Sequence, residues 1–285
     1  MESQQKNKKS FMTDDEFIQF RDLISKECGI FLKESKKDFL RTRIEKRLQL
    51  SNMGSFFQYY KYISNNDDEL TAFLDDITIN ETSFFRNVNQ FDMLREKILP
   101  EIIEKKRRKM DYNLRIWSAG CATGEEAYSL AIEVAEALHD LPFWNVLIMA
   151  SDLSWRCISK GIKSIYSEEK LAYVPEKYIE KYFNKSEDSY ELKNNVKKLV
   201  LFDFHNLCHE SGLKNIDIIF CRNVMIYFDI EEQKQLISRL NRTLKAGGYL
   251  FLGHAESLRD VISNGDFRLI CWNKGAAYQK AEDHD

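Results

Sequence analysis

The residues best suited to chemistry lie in one strand–loop–helix stretch, Arg115-Ile-Trp-Ser-Ala-Gly-Cys-Ala-Thr-Gly-Glu-Glu-Ala-Tyr-Ser129. Gly120 and Gly124 let the backbone turn sharply and approach a ligand where a Cβ would intrude. The spacing is not G-x-G-x-x-G, and Glu125 and Glu126 open the helix. Their charges suit the helix dipole. They would repel a pyrophosphate, which wants bare N–H groups at that end. A nucleoside without phosphate, carrying an amino group and a sulfonium cation, satisfies the same loop. S-adenosylmethionine fits and NAD fits poorly. Further on, Val146–Ala150 reads as a second strand that ends in Ser151-Asp152. A carboxylate there is placed to accept from ribose hydroxyls, although Asp152 alone would serve equally to cap the next helix.

The elements that must position these groups follow from apolar periodicity. Residues 14–26, 36–50, 56–63 and 67–77 carry apolar side chains at helical spacing, among them Phe17, Phe20 and Ile24, and then Leu40, Ile44 and Leu48. They predict a compact all-helical unit. From about Leu114 short β-branched runs alternate with amphipathic helices: 114–118, 125–138, 146–150, 216–221, 230–244 and 249–253. That alternation predicts an α/β fold with a mostly parallel sheet covered on both faces. Gly247 and Gly248 are expected to close the helix at 230–244 before the last of these strands. The segment from Ile165 to Val200 fits the alternation poorly and runs into a strand-like stretch, Val196–Phe202; the region is read as a small β insertion at about 165–202.

Composition narrows the class. A hydrophobic content of 44% with 31% charged residues is that of an ordinary soluble globular chain. No apolar run approaches the roughly 20 residues that cross a bilayer, so no membrane insertion is expected. Met1–Ser10 is polar and Lys-rich, without the apolar core of a secretory signal, and residues 1–12 are read as a disordered lead-in. A net charge of −3 argues against a general nucleic-acid binder. The six cysteines show no C-x-x-C spacing and are expected as free thiols of a cytoplasmic protein. His205 and His209 form an H-x-x-x-H without an accompanying ligand cluster, so no metal is expected.

Three further strings are long and unusual: Asn80-Glu-Thr-Ser-Phe-Phe-Arg86, Phe220-Cys-Arg-Asn-Val-Met-Ile-Tyr-Phe-Asp229 and Gly253-His-Ala-Glu-Ser257. With Thr123-Gly-Glu-Glu-Ala-Tyr-Ser129 they resemble the CheR family of chemotaxis receptor methyltransferases, from about Met12 to Gln279. The segment Leu244–Leu250 likewise looks like the helix-turn-strand late in the sheet of class I methyltransferases, with Ala246 where Pro is usual. The resemblance implies a class I, Rossmann-like domain over residues 96–285, preceded by the helical domain at 13–78 and a linker at 79–95 that contributes to the cofactor site. It implies methyl transfer from S-adenosylmethionine to glutamate side chains on the coiled coil of chemoreceptors, with S-adenosylhomocysteine as product. Asn80, Thr82 and Arg86 would contact the cofactor from the linker. Gly120 would line the loop, and Glu126 and Asp152 would bind polar groups, Asp152 at the ribose. Asn206 and Leu207 would border the adenine, Arg222 and Asn223 the methionyl part, and Tyr227 would face the methyl group. Ala127 stands where the family usually has Pro, and Gly120-Cys-Ala122 varies a loop that is usually Ala/Ser-rich.

The chemistry agrees with this residue set. A glutamate with a pKa near 4.3 is ionised by roughly 500 to 1 at pH 7, so no general base is required. Catalysis then rests on alignment, worth up to ~7–11 kcal/mol in favourable cases. Arg86 can hold a carboxylate bidentately, either the substrate's or the cofactor's own. Tyr227 can donate an orienting hydrogen bond and wall the sulfonium. For an acidic partner, Lys36, Arg43 and Arg47 lie within about 40° of one another around a helix. They offer a basic stripe to a receptor coiled coil, with the chain expected as a monomer. Some family members also hold a receptor C-terminal pentapeptide through a Gly-containing loop in the β insertion. Here Asn184-Lys-Ser-Glu-Asp-Ser189 has no glycine and is short, which predicts tether independence. The rival readings are a methyltransferase of another acidic protein, a non-catalytic S-adenosylmethionine sensor and, more distantly, an NAD-dependent dehydrogenase.

Overall fold

The structure is a computed structural model that describes residues 11–259, 261 and 265–282 of the 285. The expected disordered lead-in lies, through Ser10, outside the described residues. The chain divides after Thr78 into two units.

The first unit holds α1 (Asp14–Cys28), α2 (Lys37–Leu50), α3 (Phe56–Ile63) and α4 (Asp67–Ile77). Three of the four start on a side-chain cap. Thr13 closes a capping box with Glu16, Ser55 accepts from Gln58 N–H, and Asn66 accepts from Glu69 N–H. The apolar positions at helical spacing are buried. Phe20, Tyr59 and Phe73 meet ring to ring at 5.8 to 6.2 Å. Burying such a ring contributes roughly 1.5–3 kcal/mol.

The second unit begins with an irregular segment and then α5 (Val88–Met93), which continues through a π-helical turn, Leu94–Ile98, into α6 (Leu99–Arg108). The wide turn lies just ahead of Pro100, whose ring would clash with the Glu96 carbonyl in regular α geometry. The expected linker at 79–95 is therefore irregular only as far as Asn87. Beyond it come β1 (Asn113–Ala119), α7 (Glu125–Ala137), β2 (Asn145–Asp152) and α8 (Trp155–Lys163). Next are β3 (Ile165–Tyr166), α9 (Glu176–Tyr182), β4 (Phe183–Lys185), β5 (Tyr190–Leu192) and α10 (Asn194–Lys197). The unit ends with β6 (Val200–Phe204), β7 (Ile216–Cys221), α11 (Ile230–Thr243), β8 (Leu244–Leu252), β9 (Phe267–Trp272) and β10 (Gly275–Lys280).

Seven strands form one sheet in the order β6-β2-β1-β7-β8-β10-β9. The five from β6 to β8 run parallel, and β10 is antiparallel to both neighbours. All six residues of β7 are buried, as a central parallel strand requires. The strand order reverses between β1 and β7, which opens a crevice at the carboxyl ends of β1, β2 and β7.

Two boundaries differ from the sequence reading. Val200–Phe204 pairs in parallel with β2 from Ile148 to Asp152, so it is the edge of the main sheet and not part of the insertion. The insertion's own sheet is the antiparallel set β3-β5-β4, within residues 165–192. Gly247 and Gly248 lie inside β8 and do not cap α11, which ends at Thr243. The β7–β8 register shifts beside them, between Ile216 and Ile218.

Candidate active site

The glycine loop caps the carboxyl end of β1. Gly120 N–H and Cys121 N–H both donate to Ser151 O, at 2.8 and 2.9 Å, which pins the loop to the end of β2. Gly124 takes φ +92° at the N-cap of α7. A Cβ there would sit 2.8 Å from the Phe202 ring, so glycine is required both for space and for conformation.

Asp152 is buried at the end of β2. One carboxylate oxygen accepts from Ala122 N–H at 2.8 Å and the other from Ser154 N–H at 2.9 Å. The cap of α8 is Ser154, whose hydroxyl accepts from Cys157 N–H, and so Asp152 is not spent as a helix cap. A carboxylate at the carboxyl end of the second strand of such a sheet is placed to meet ribose hydroxyls. Asn206 adjoins it, since His205 N–H donates to Asp152 O at 3.0 Å, and the Leu207 side chain is buried beside that turn.

Glu126 and Arg222 form the electrostatic centre of the crevice. Glu126 accepts from Ser118 Oγ at 2.7 Å and from Arg222 Nε at 2.7 Å, with side-chain exposures of 10% and 3% for the pair. Arg222 Nη1 also donates to Arg86 O at 2.6 Å and to Gln90 Oε1 at 2.9 Å. Its guanidinium lies 5.4 Å from the centres of both the Phe91 and Phe220 rings. Gln90 in turn donates to Leu252 O at 2.8 Å, which ties α5 to the end of β8. The sequence reading took Glu126 and Arg222 as separate ligand contacts. The structure makes them partners of one another, and Glu126 keeps spare acceptor capacity for an ammonium.

The 80–86 segment is fastened to α7. Phe85 N–H donates to Ser129 Oγ at 2.9 Å. Lys170, from the insertion, donates to Thr82 O at 2.9 Å and pairs with the buried Glu125 at 2.9 Å. Asn80 and Thr82 are half-buried along this segment. Arg86 is half-buried and donates from Nη1 to Glu81 O at 2.9 Å. Tyr227 ends a 3₁₀ turn after β7. Burial pushes its phenol pKa up, with the Arg86 charge pulling against it, so the hydroxyl stays a donor at neutral pH.

Cys121 and Cys221 line the same region. Burial holds both thiols protonated, with Asp152 and Glu126 raising Cys121 further, so neither is poised as a thiolate nucleophile. His205 is pushed toward its neutral form by burial, then by His209. Among the described residues no group of His, Cys, Asp and Glu is placed to hold a metal. Gln90, Lys170 and Ser118 were not singled out from sequence. Ser118 and Glu256, the latter described below, nevertheless lay within strings that had been.

Two buried carboxylates, Glu126 and Asp152, flank a phosphate-excluding loop, and this donor set fits a nucleoside with a diol and an ammonium. Family models match both units: residues 80–272 fit the CheR methyltransferase SAM binding domain, and residues 15–78 fit the CheR methyltransferase all-alpha domain. The chain belongs to the CheR methyltransferase family. A chemotaxis protein methyltransferase of Borreliella burgdorferi is 36% identical over 255 residues, 87% of this chain and 90% of that protein. Chemotaxis protein methyltransferase 2 of Vibrio cholerae is 32% identical over 94% of each chain. Its namesake in Pseudomonas aeruginosa is 34% identical over 88% of this chain and 89% of its own. As a CheR methyltransferase domain, the second unit has the class I arrangement expected of it, a mostly parallel sheet with one antiparallel strand inserted near its edge.

The basic stripe expected on α2 is narrower than its spacing implies. Arg47 is committed within the helical unit: it donates to Glu69 at 2.9 and 2.5 Å and lies 3.6 Å from Asp76. Tyr59 hydroxyl joins the same Glu69 at 2.9 Å. Lys36 is exposed and Arg43 half-buried, and neither has a carboxylate partner among the described residues.

Proposed function

We propose that this chain methylates side-chain carboxylates of glutamates on the cytoplasmic coiled coil of chemoreceptors. It would act in the cytoplasm, as a monomer, in sensory adaptation. The single observation that carries the reading is the Ser118–Glu126–Arg222 arrangement beside Asp152 at the switch point of the sheet. The chemotaxis relatives supply the context.

Glu126 and Asp152 would hold the ammonium and ribose of S-adenosylmethionine, with Asn80, Thr82, Gly120, Asn206, Leu207, Arg222 and Asn223 around it. When bound, the cofactor supplies an activated methyl on a positively charged sulfur and leaves as S-adenosylhomocysteine. The remaining work falls to this chain's own residues. Tyr227, kept protonated, donates toward the reacting carboxylate and does not take a proton from it. Arg86 grips a carboxylate, and Arg86→Lys separates the two candidates: lost cofactor affinity means the cofactor's, a raised KM for receptor means the substrate's.

Docking falls to Arg43 on α2 and to Lys36 just ahead of its first turn, with Arg47 holding the fold. The β4–β5 hairpin closes tightly, with Ser186 N–H donating to Ser189 O at 2.8 Å, and has no glycine to receive an extended peptide. The enzyme is therefore read as tether-independent, and measurable binding of a receptor tail pentapeptide would overturn that part. The whole reading is tested by peptide mapping of receptor fragments after incubation with cofactor. Methyl esters on coiled-coil glutamates are expected, and modification confined to other proteins refutes the assignment.

A further inference from the structure

The loop after β7 carries Arg222, Asn223 and Tyr227, and Asn223 takes φ +60°. That left-handed conformation is uncommon outside glycine and needs support from its surroundings. The support comes from Glu256, in the turn that follows β8. Its Oε2 accepts from Asn223 N–H at 2.9 Å and from Gly253 N–H at 2.6 Å, and its Oε1 from Ile226 N–H at 3.3 Å. Its own N–H donates back to Gly253 O at 2.9 Å. One carboxylate thus gathers three backbone donors from two loops, each bond strengthened by the charge.

Gly253 completes the clasp. A Cβ on it would stand 2.7 Å from Glu256 Oε2, 2.9 Å from Asn223 N and 3.0 Å from Asn223 Nδ2. The two loops can approach this closely only because residue 253 has no side chain. Glu256 itself is half-buried at the surface end of the sheet, whereas the adjoining strand residues Cys221 and Leu252 are buried. Losing the carboxylate therefore releases the loop without opening the core.

We infer that Glu256 is a positioning residue for methyl transfer: with Gly253 it fixes the 222–227 loop so that Asn223 and Tyr227 face the reacting centre. The inference rests on the reading above, in which those two residues border the cofactor and the methyl group. Displacement of a positioned group by about 1 Å can cost on the order of 100-fold in rate.

The test compares Glu256→Gln, Gly253→Ala and the double variant with the wild type. Glu256→Gln keeps the shape but turns an amide N–H₂ toward at least one of the three donors. Calorimetry reads affinity for S-adenosylhomocysteine, exchange mass spectrometry reads the 222–226 amides, and kinetics reads kcat and KM on a receptor fragment. Each single variant is expected to melt within about 5 °C of wild type, to exchange faster at 222–226 and to bind S-adenosylhomocysteine about tenfold more weakly. The same variants should lose about 10- to 100-fold in kcat at unchanged receptor KM. The double variant should be no worse than either single, because both changes open one clasp. Wild-type affinity, exchange and kcat in Glu256→Gln, or effects that multiply in the double, overturn the inference. If the wild type binds S-adenosylhomocysteine but methylates no receptor fragment, the substrate assignment fails while affinity and exchange still judge the clasp. If the wild type does not bind it, both fall.

Discussion

Neutralising Glu126 tests whether the buried pair at the centre of the crevice holds the fold as well as the cofactor. At an effective dielectric constant of about 20, unit charges about 4 Å apart attract by about 4 kcal/mol. Glu126→Gln removes that attraction but keeps one acceptor, for Arg222 Nε, and turns its N–H₂ toward Ser118 Oγ, a hydroxyl that can accept in turn; both present distances are 2.7 Å. It leaves the Arg222 cation, only 3% exposed in its side chain, with Gln90 and a carbonyl for company. Breaking such pairs costs about 3–5 kcal/mol, and the retained hydrogen bonds place this case near the lower end, about 3 kcal/mol. For a unit of this size that is a fall of about 6–12 °C in Tm. Arg222→Met should cost at least as much, since it strands the Glu126 carboxylate. Combining the two changes leaves no unpaired charge and should recover about 2–3 kcal/mol relative to additivity. All four tryptophans lie in the second unit, so denaturation followed by tryptophan fluorescence reports on it selectively. Affinity for S-adenosylhomocysteine should fall in every variant and should not return in the double. Additive stability losses would refute the coupling, and unchanged affinity in Glu126→Gln would refute the ligand role.

Four further outcomes are expected. Burial pushes the Glu133 carboxyl up to about 7 against the pull of Arg95, and its Oε2 has no hydrogen-bond partner among the described residues. The folded state binds this proton more tightly than the unfolded chain, so the contribution is full below about pH 4.5 and lost as pH rises through about 7. Glu133→Gln should therefore gain up to roughly 3 kcal/mol on wild type between about pH 5 and about pH 8 in denaturant titrations, and a pH-independent difference would contradict this. Arg47→Met should destabilise the helical unit by about 3 kcal/mol, whereas Lys36→Glu with Arg43→Glu should leave stability and cofactor affinity intact and weaken receptor methylation; equal methylation rates would remove the docking face. Gly124→Ala, with a Cβ 2.8 Å from Phe202 at φ +92°, should cost at least about 2 kcal/mol and most cofactor binding, read by calorimetry.

How far the sequence speaks can be judged element by element. The four helices of the first unit and the β1–loop–α7 core were legible because apolar periodicity is a local signal and their caps are local too. β6 was legible as a strand but not as a member of the main sheet, because its partner β2 lies some 50 residues upstream and pairing over that distance leaves no local trace. The hairpin of β9 and β10 was missed. Only Ile270 of β9 is buried, so this edge strand lacks the alternation that marks a half-buried one. Glu126 and Arg222 were both placed at the site, yet their pairing joins residues 96 apart in sequence, and only the fold brings them together. Arg47 shows the converse error. A basic stripe on a helix says nothing about the acids that α4 supplies to it.

Carboxyl methylation of a receptor can be measured directly. Receptor cytoplasmic fragments are incubated with the chain and S-adenosylmethionine labelled in its methyl group, then washed with mild alkali. Label is expected on the receptor and should leave as volatile methanol, as a carboxyl ester must. Label that resists alkali, or no transfer by a chain that binds the cofactor, would contradict it.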